Sequence, residues 1–292
     1  MISFLQQVLS GAAVGCVYAL VALGFVLIYK ATEVVSFAQG ELMMVGAFFG
    51  VTFANHMGLP FPVAMLAAIV AVVILGMLLN QVFVRHMIGQ PAFAIFMVTA
   101  GIGTCLRAIA MLMPGWGVDT YKITTPLTGQ VLRFGGLTLN ADHAAVAGVT
   151  AVCVTGLFLF FRYTRTGLAM QATAENQLAA NYAGVNVKAV YAIAWGLGAG
   201  LAGLAGLLLA PISFVDVNMG YIGLKAIISA VLGGFGSLPG AVVGGLTIGI
   251  FESLAGFYLP EGAKDVAPYA LLLVALAVWP RGFFGKTAMK KV

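Results

Sequence analysis

Residues 8–29, VLSGAAVGCVYALVALGFVLIY, run for 22 positions without a charged side chain. A helix needs roughly 20 apolar residues to cross a bilayer core about 30 Å thick. So long and continuous a run does not fit an alternating barrel strand. Further apolar runs at about 42–57, 61–84, 91–113, 144–161, 189–213, 240–258 and 266–280 repeat the pattern, and a shorter one, 221–232, precedes a glycine-rich turn at 233–240. In hydrocarbon each backbone N–H and C=O must be satisfied within the protein, so helices are the expected spanning elements. The chain thus reads as all-α, a polytopic transmembrane helical bundle of about eight spans with interrupted or re-entrant helices. Only 8% of its 292 residues are charged and 62% are hydrophobic, whereas soluble domains carry about 25% charged residues. No hydrophilic block is long enough to fold by itself, so 1–292 is expected to form a single transmembrane domain. The N-terminal MISFLQQVLSG lacks the basic n-region of a cleaved signal peptide. Cys16, Cys105 and Cys153 lie in apolar runs and read as packing residues.

The net charge is +5, but the distribution of cations is more informative than their sum. If the N-terminus lies outside, Lys30, Arg85, Arg162, Arg165, Lys188, Arg281, Lys286, Lys290 and Lys291 fall in the cytoplasm, against Lys122, Arg133 and Lys264 outside. That asymmetry favours N-out and C-in. It makes 162–188 a cytoplasmic loop and 114–143 the largest outer loop, whose DTYKITTPLTGQVLRFGGLTLN alternates enough for a small hairpin. It also requires 221–258 to enter and leave on the outer side, as a re-entrant hairpin or a tilted pair. Arg107, Lys225 and Glu252 then lie at membrane depth, where charge is costly and points to function unless it snorkels.

Two stretches break the apolar pattern at depth, ATEVVSFAQGELMM at 31–44 and AVLGGFGSLPGAVVGG at 230–245. Interrupted helices are tolerated where protein or a water-filled cavity satisfies their backbone, and in transporters they flank the substrate path. Gln39, Glu41, Phe235, Ser237 and Glu252 are the candidate path-lining residues. Elsewhere small residues recur four apart, as at Gly196/Gly200, Ala199/Gly203, Gly240/Gly244 and Gly245/Gly249, a spacing that lets helix backbones approach closely.

Nothing in the sequence assembles a reaction centre. His56, His86 and His143 have no companion at metal-ligand spacing, and no cofactor is implied. Gly285-Lys286-Thr287 suggests a phosphate loop, but Pro280 stands where that motif needs its first glycine. The reading is a transport subunit without its own ATP site, not an enzyme.

The segment 161–184, FRYTRTGLAMQATAENQLAANYAG, is conspicuously polar for this chain. It predicts one short cytoplasmic helix over 167–184, capped by Thr166 and ended by Gly184. Within it, Leu178-Ala179-Ala180-x3-Gly184 resembles the cytoplasmic signature of ABC importer permeases. Leu178 replaces the usual leading glutamate, and Glu175 lies one turn back. TGLAMQATAENQLAANYAGVNV, GAAVGCVYALVALGFVLIYKATEVVSFAQGE, VLGGFGSLPGAVVGGLTIGIFESL and KDVAPYALLLVALAVWPRGFFG together resemble, in order, the permease subunits of branched-chain amino acid importers. Where that family usually carries Asn-Phe-Ala-His-Gly-Glu, this chain has Ser36-Phe37-Ala38-Gln39-Gly40-Glu41. No histidine therefore stands at 39, and the ligand is open to amino acids other than leucine, isoleucine and valine.

The resemblance implies a permease subunit of the bacterial inner membrane working with a second homologous permease, two ATP-binding subunits and a periplasmic substrate-binding protein. Residues 162–188 would carry the coupling helix, with Thr166, Gly167, Ala172, Glu175, Asn176, Ala179, Ala180 and Gly184 engaging an ATPase. The expected cargo is branched-chain or other amino acids and related small amides or carboxylates. The alternative is a secondary transporter or channel with half-helices around a pore.

Overall fold

The computed structural model describes residues 2–87, 90–117, 119–134, 137–279 and 282–284. Arg281, Lys286, Lys290 and Lys291 of the basic tail, with the Gly285-Lys286-Thr287 tripeptide, lie outside the described residues. The described chain is a helical bundle. In order it runs α1 (Ile2–Thr32), α2 (Gln39–Val51) prolonged by a π-turn at Thr52–His56, α3 (Phe61–Val82), α4 (Ala92–Leu112), α5 (Ala141–Tyr163), α6 (Arg165–Glu175), α7 (Gln177–Tyr182), α8 (Val187–Leu209), α9 (Ile222–Gly233), α10 (Leu238–Tyr258) and α11 (Ala263–Val278).

Six of these helices, α1, α3, α4, α5, α8 and α10, are long and apolar enough to cross a membrane. The runs at 42–57 and 266–280 are also helical, but α2 has only 13 residues before its π-turn and α11 has 16. An apolar helix surrounded on all sides by protein becomes core, while one with an open face meets lipid. In α1 and α8, 83% of the apolar window is buried, against 22% in the α3 span and 17% in α5. The first two form the centre and the others the periphery.

Small residues bring the central helices together. A Cβ on Gly15 would stand 2.8 Å from the Leu246 Cα, and one on Gly11 would stand 2.8 Å from the Gly249 carbonyl oxygen, so α1 and α10 pack backbone to backbone in antiparallel sense. On α8, Gly196 faces Met77, Gly200 faces Val73 and Gly203 faces Val72, all on α3.

Polarity of the bundle follows from three contacts. Lys30 lies 5.8 Å from the Phe161 ring centroid, Tyr29 meets Phe235 edge-on at 5.1 Å, and Phe283 N–H donates to the Leu232 carbonyl at 2.8 Å. The ends of α1 and α5, the turn between α9 and α10, and the chain after α11 therefore share one end of the bundle, the basal end. Gly234, at φ +94°, makes that turn possible for the backbone. At the opposite end a short antiparallel hairpin, β1 (Val131–Phe134) with β2 (Leu137–Asn140), sits over the start of α1, where the Gln6 amide donates to the Thr138 hydroxyl at 2.8 Å. The alternation read in 114–143 thus becomes a hairpin. The stretch 210–221 descends from that end, where Val215 bridges to Tyr121. Next, α9 continues to the basal end and α10 returns.

Candidate functional site

At the basal end the polar segment folds as two helices, not as the single helix over 167–184 that its alanine spacing predicts. Asn176 interrupts it with extended backbone (φ −158°, ψ 104°), and its side chain accepts the Ala179 N–H at 3.0 Å to start α7. Asparagine competes with helical hydrogen bonding in just this way. The cap of α6 is Thr164, not Thr166. Its hydroxyl accepts the Gly167 N–H at 2.9 Å and donates to the Phe160 carbonyl at 2.7 Å. Thr164 has the extended φ/ψ a cap needs, whereas Thr166 is already inside the first turn. Gly184, at φ +85°, ends the pair through its N–H to the Asn181 carbonyl. Thr164→Ala is expected to destabilise α6 by about 1 kcal/mol, so that amide exchange over 165–175 quickens about fivefold while the spans are unchanged, read by mass spectrometry.

The two helices have an anchoring face and an open face. Gly167 lies so close to α5 that a Cβ there would stand 2.8 Å from the Phe161 Cα, and Met170, Thr173 and Ala180 are buried with it. Thr166 is half-buried, while Ala172, Glu175, Asn176, Ala179 and Gly184 are exposed. Tyr182, which the helical spacing puts on the outer face, is 88% exposed, and so are two large side chains it does not flag, Leu168 at 65% and Leu178 at 69%. Beside them an open depression of about 590 Å³ is rimmed by Arg85, Leu178 and Lys188.

A cavity of about 630 Å³ leads inward from Gln177, the first residue of α7, past Glu33 and Tyr191 to Phe37. It ends where the bundle is interrupted. Helix α1 finishes at Thr32 and is followed by Glu33, a non-glycine residue at φ +55°, and α2 starts only at Gln39. The Gln39 amide donates to the carbonyl of Gly198, the midpoint of α8, at 2.5 Å, so α2 begins halfway through the bundle. Among the described residues, the buried Ser36 Oγ and Gln39 Oε1 have no hydrogen-bond partner.

The N-terminus of α2 meets the approach to α9. Gly40 and Gly223 touch backbone to backbone, so no larger residue fits at that contact without a backbone shift, and Gly220 abuts the Glu41 carboxylate. Glu41 forms an ion pair with Arg107 of α4, which also donates through Nε at 3.3 Å. The guanidinium lies 4.2 Å from the centroid of the Tyr221 ring, a favourable cation–π placement. Sequence reasoning placed Arg107 at depth but had no means to pair it, because its partner is 66 residues away.

The remaining path candidates do not join this cluster. Phe235 and Ser237 lie in the basal turn, where the Ser237 hydroxyl caps α10 by accepting the Gly240 N–H at 3.1 Å. Glu252 belongs to a separate buried network. It accepts from the Tyr18 hydroxyl at 2.6 Å and from Lys225 Nζ at 2.9 Å, and Lys225 also reaches Asp265 at 3.1 Å. That network ties α1, α9, α10 and α11 together. Among the described residues, no three His, Cys, Asp or Glu side chains gather as a metal site.

Residues 7–276 match the family model described as branched-chain amino acid transport system / permease component. The chain is 33% identical over 303 residues to the high-affinity branched-chain amino acid transport system permease protein BraD of Pseudomonas aeruginosa, covering 99% of this chain and 98% of that one. It is 31% identical, with the same coverage, to the corresponding LivH protein of Salmonella typhimurium, and 27% identical to a probable LivH permease of Methanocaldococcus jannaschii, covering 96% and 92%. In fold it is similar to a chain of PsaBC from Streptococcus pneumoniae in complex with Fab, with a TM-score of 0.51 and 14% identity over 96% of this chain and 94% of that one. A bundle interrupted mid-way, a polar helix pair at one end and these full-length matches lead to one conclusion: the chain belongs to the permease components of branched-chain amino acid transport systems.

Proposed function

We propose that this permease carries branched-chain or other amino acids, and related small amides or carboxylates, across a bacterial inner membrane on energy received through α6 and α7. The observation that carries the reading is the open face of that helix pair. Leu168, Leu178 and Tyr182 project from polar helices that are themselves clamped to the bundle. Large apolar side chains exposed beside a polar rim mark a protein contact. The occupant we assign is one of two ATP-binding subunits, whose closure would push the pair as a body. A second homologous permease and a periplasmic binding protein complete the assembly.

In this reading the basal end faces the cytoplasm, the N-terminus lies outside and the C-terminus inside. Lys30, Arg85, Arg162, Arg165 and Lys188 then all fall on the inner side. The cavity from Gln177 to Phe37 connects the driven helices with the interruption at Gln39, so motion outside the bundle has a route to its interior.

The test is reconstitution in proteoliposomes with the ATPases and binding protein encoded beside the permease. Uptake of leucine that requires internal ATP and the binding protein is the expected result. Uptake by the permease alone, driven by a proton or sodium gradient, would overturn the reading.

A further inference from the structure

We infer that Glu41 and Arg107 form a site for a zwitterionic α-amino acid, the carboxylate of Glu41 receiving the substrate ammonium and the guanidinium of Arg107 its carboxylate. The inference deepens the proposed transport reading and rests on it. The two side chains stand in a pocket of about 260 Å³ between α2, α4 and the start of α9. The pocket is open, and Glu41 and Arg107 keep 12% and 19% of their side-chain surface exposed, so an arriving ligand can reach both charges.

The pair's surroundings fit this task. Gly220 abuts the carboxylate on one side, and on another a Cβ on Gly103 would stand 3.2 Å from the Glu41 stem. Glycine there gives close backbone approach and leaves space in front of the charges. Phe25, Phe37, Leu224 and Ile227 line the same pocket and offer an apolar surface to a hydrocarbon side chain. Tyr221 holds the guanidinium from its ring face, and the in-plane N–H groups of Arg107, which donate to Glu41 in this state, are the ones that match a carboxylate bidentately.

Without substrate the two charges satisfy each other, which removes the penalty of an isolated charge at depth. A zwitterion supplies one charge of each sign at adjacent carbons, so it can insert and leave both groups paired. A neutral amide or a simple carboxylate cannot, since it would strand at least one charge. The site therefore favours a zwitterion over a neutral amide or a simple carboxylate.

The experiment compares Glu41→Gln, Arg107→Gln and the double variant in the reconstituted complex. Each is measured for membrane level, for ATP hydrolysis stimulated by the leucine-loaded binding protein, and for leucine uptake. Losing a hydrogen bond to a charged group is expected to lower uptake about 10- to 100-fold, with stimulated hydrolysis retained. The double variant keeps a neutral hydrogen-bonded pair, so it separates the loss of recognition from the loss of packing. Wild-type leucine uptake by the double variant would overturn the inference, as would parallel loss of membrane level, hydrolysis and uptake in all three variants. Failure of the transport reading is distinguishable, because the unmutated complex would then show no ATP-dependent uptake.

Discussion

Leu178→Asp is expected to reduce ATP-dependent leucine uptake at least about tenfold, the scale of losing an interface anchor, while the permease reaches the membrane in normal amount. Leu178 is 69% exposed on α7, so folding has little reason to respond. It stands where the importer signature usually carries glutamate, beside a depression whose rim includes Arg85 and Lys188. An apolar side chain exposed at that point fits a covering partner surface, and the substitution removes that apolar contact. Co-purification of the ATPase with the permease is the second readout and should weaken in parallel. Unchanged uptake with unchanged co-purification would remove α7 from the docking surface. Ala180 serves as the contrast, because it is buried at 5% exposure. Ala180→Asp should lower the amount of folded protein, whereas Leu178→Asp should not.

Glu252→Ala carries the second large effect, this time on stability. The carboxylate is the acceptor for Tyr18 and Lys225, and its side chain is only 4% exposed. Removing one member of a buried pair leaves the other charge uncompensated, at a cost of about 3–5 kcal/mol. Asp265 offers Lys225 only slight relief, because it is 80% exposed and its attraction is screened by solvent. The expected outcome is a marked fall in detergent-resistant folded permease and a lower thermal transition. The double variant Glu252→Leu with Lys225→Met should recover much of the loss, since well-packed apolar residues commonly match or exceed a buried ion pair. Failure of the double variant to recover would assign the network a role beyond holding four helices together.

The periodicity of the chain carried a large part of the fold. Apolar runs at 8–29, 61–84, 91–113, 144–161, 189–213 and 240–258 each correspond to a helix long enough to span, because length and hydropathy alone decide whether a segment can cross hydrocarbon. Small residues four apart on α8 met α3, for a reason equally local: a helix with no side chains on one stripe invites a neighbour. The helical break at Asn176 and the cap at Thr164 were not legible in the same way. Thr164 and Thr166 are chemically equal as caps, and only the backbone at the end of α5 decides between them.

The candidate path residues divide along the same line. Gln39 and Glu41 are polar at a depth where polarity is rare, and they mark the mid-bundle start of α2. Phe235, Ser237 and Glu252 looked similar in sequence but occupy a turn and a separate charge network. Composition can signal that a charge is buried, but not which partner neutralises it. Sequence by itself determined that this chain is a bundle of membrane helices with a polar segment and two interruptions, since those properties follow from hydropathy counted along the backbone. Tertiary structure alone decided that Arg107 meets Glu41 and Lys225 meets Glu252. Such pairings depend on how helices far apart in the chain are rotated and staggered against one another, and side-chain spacing within one helix does not encode that.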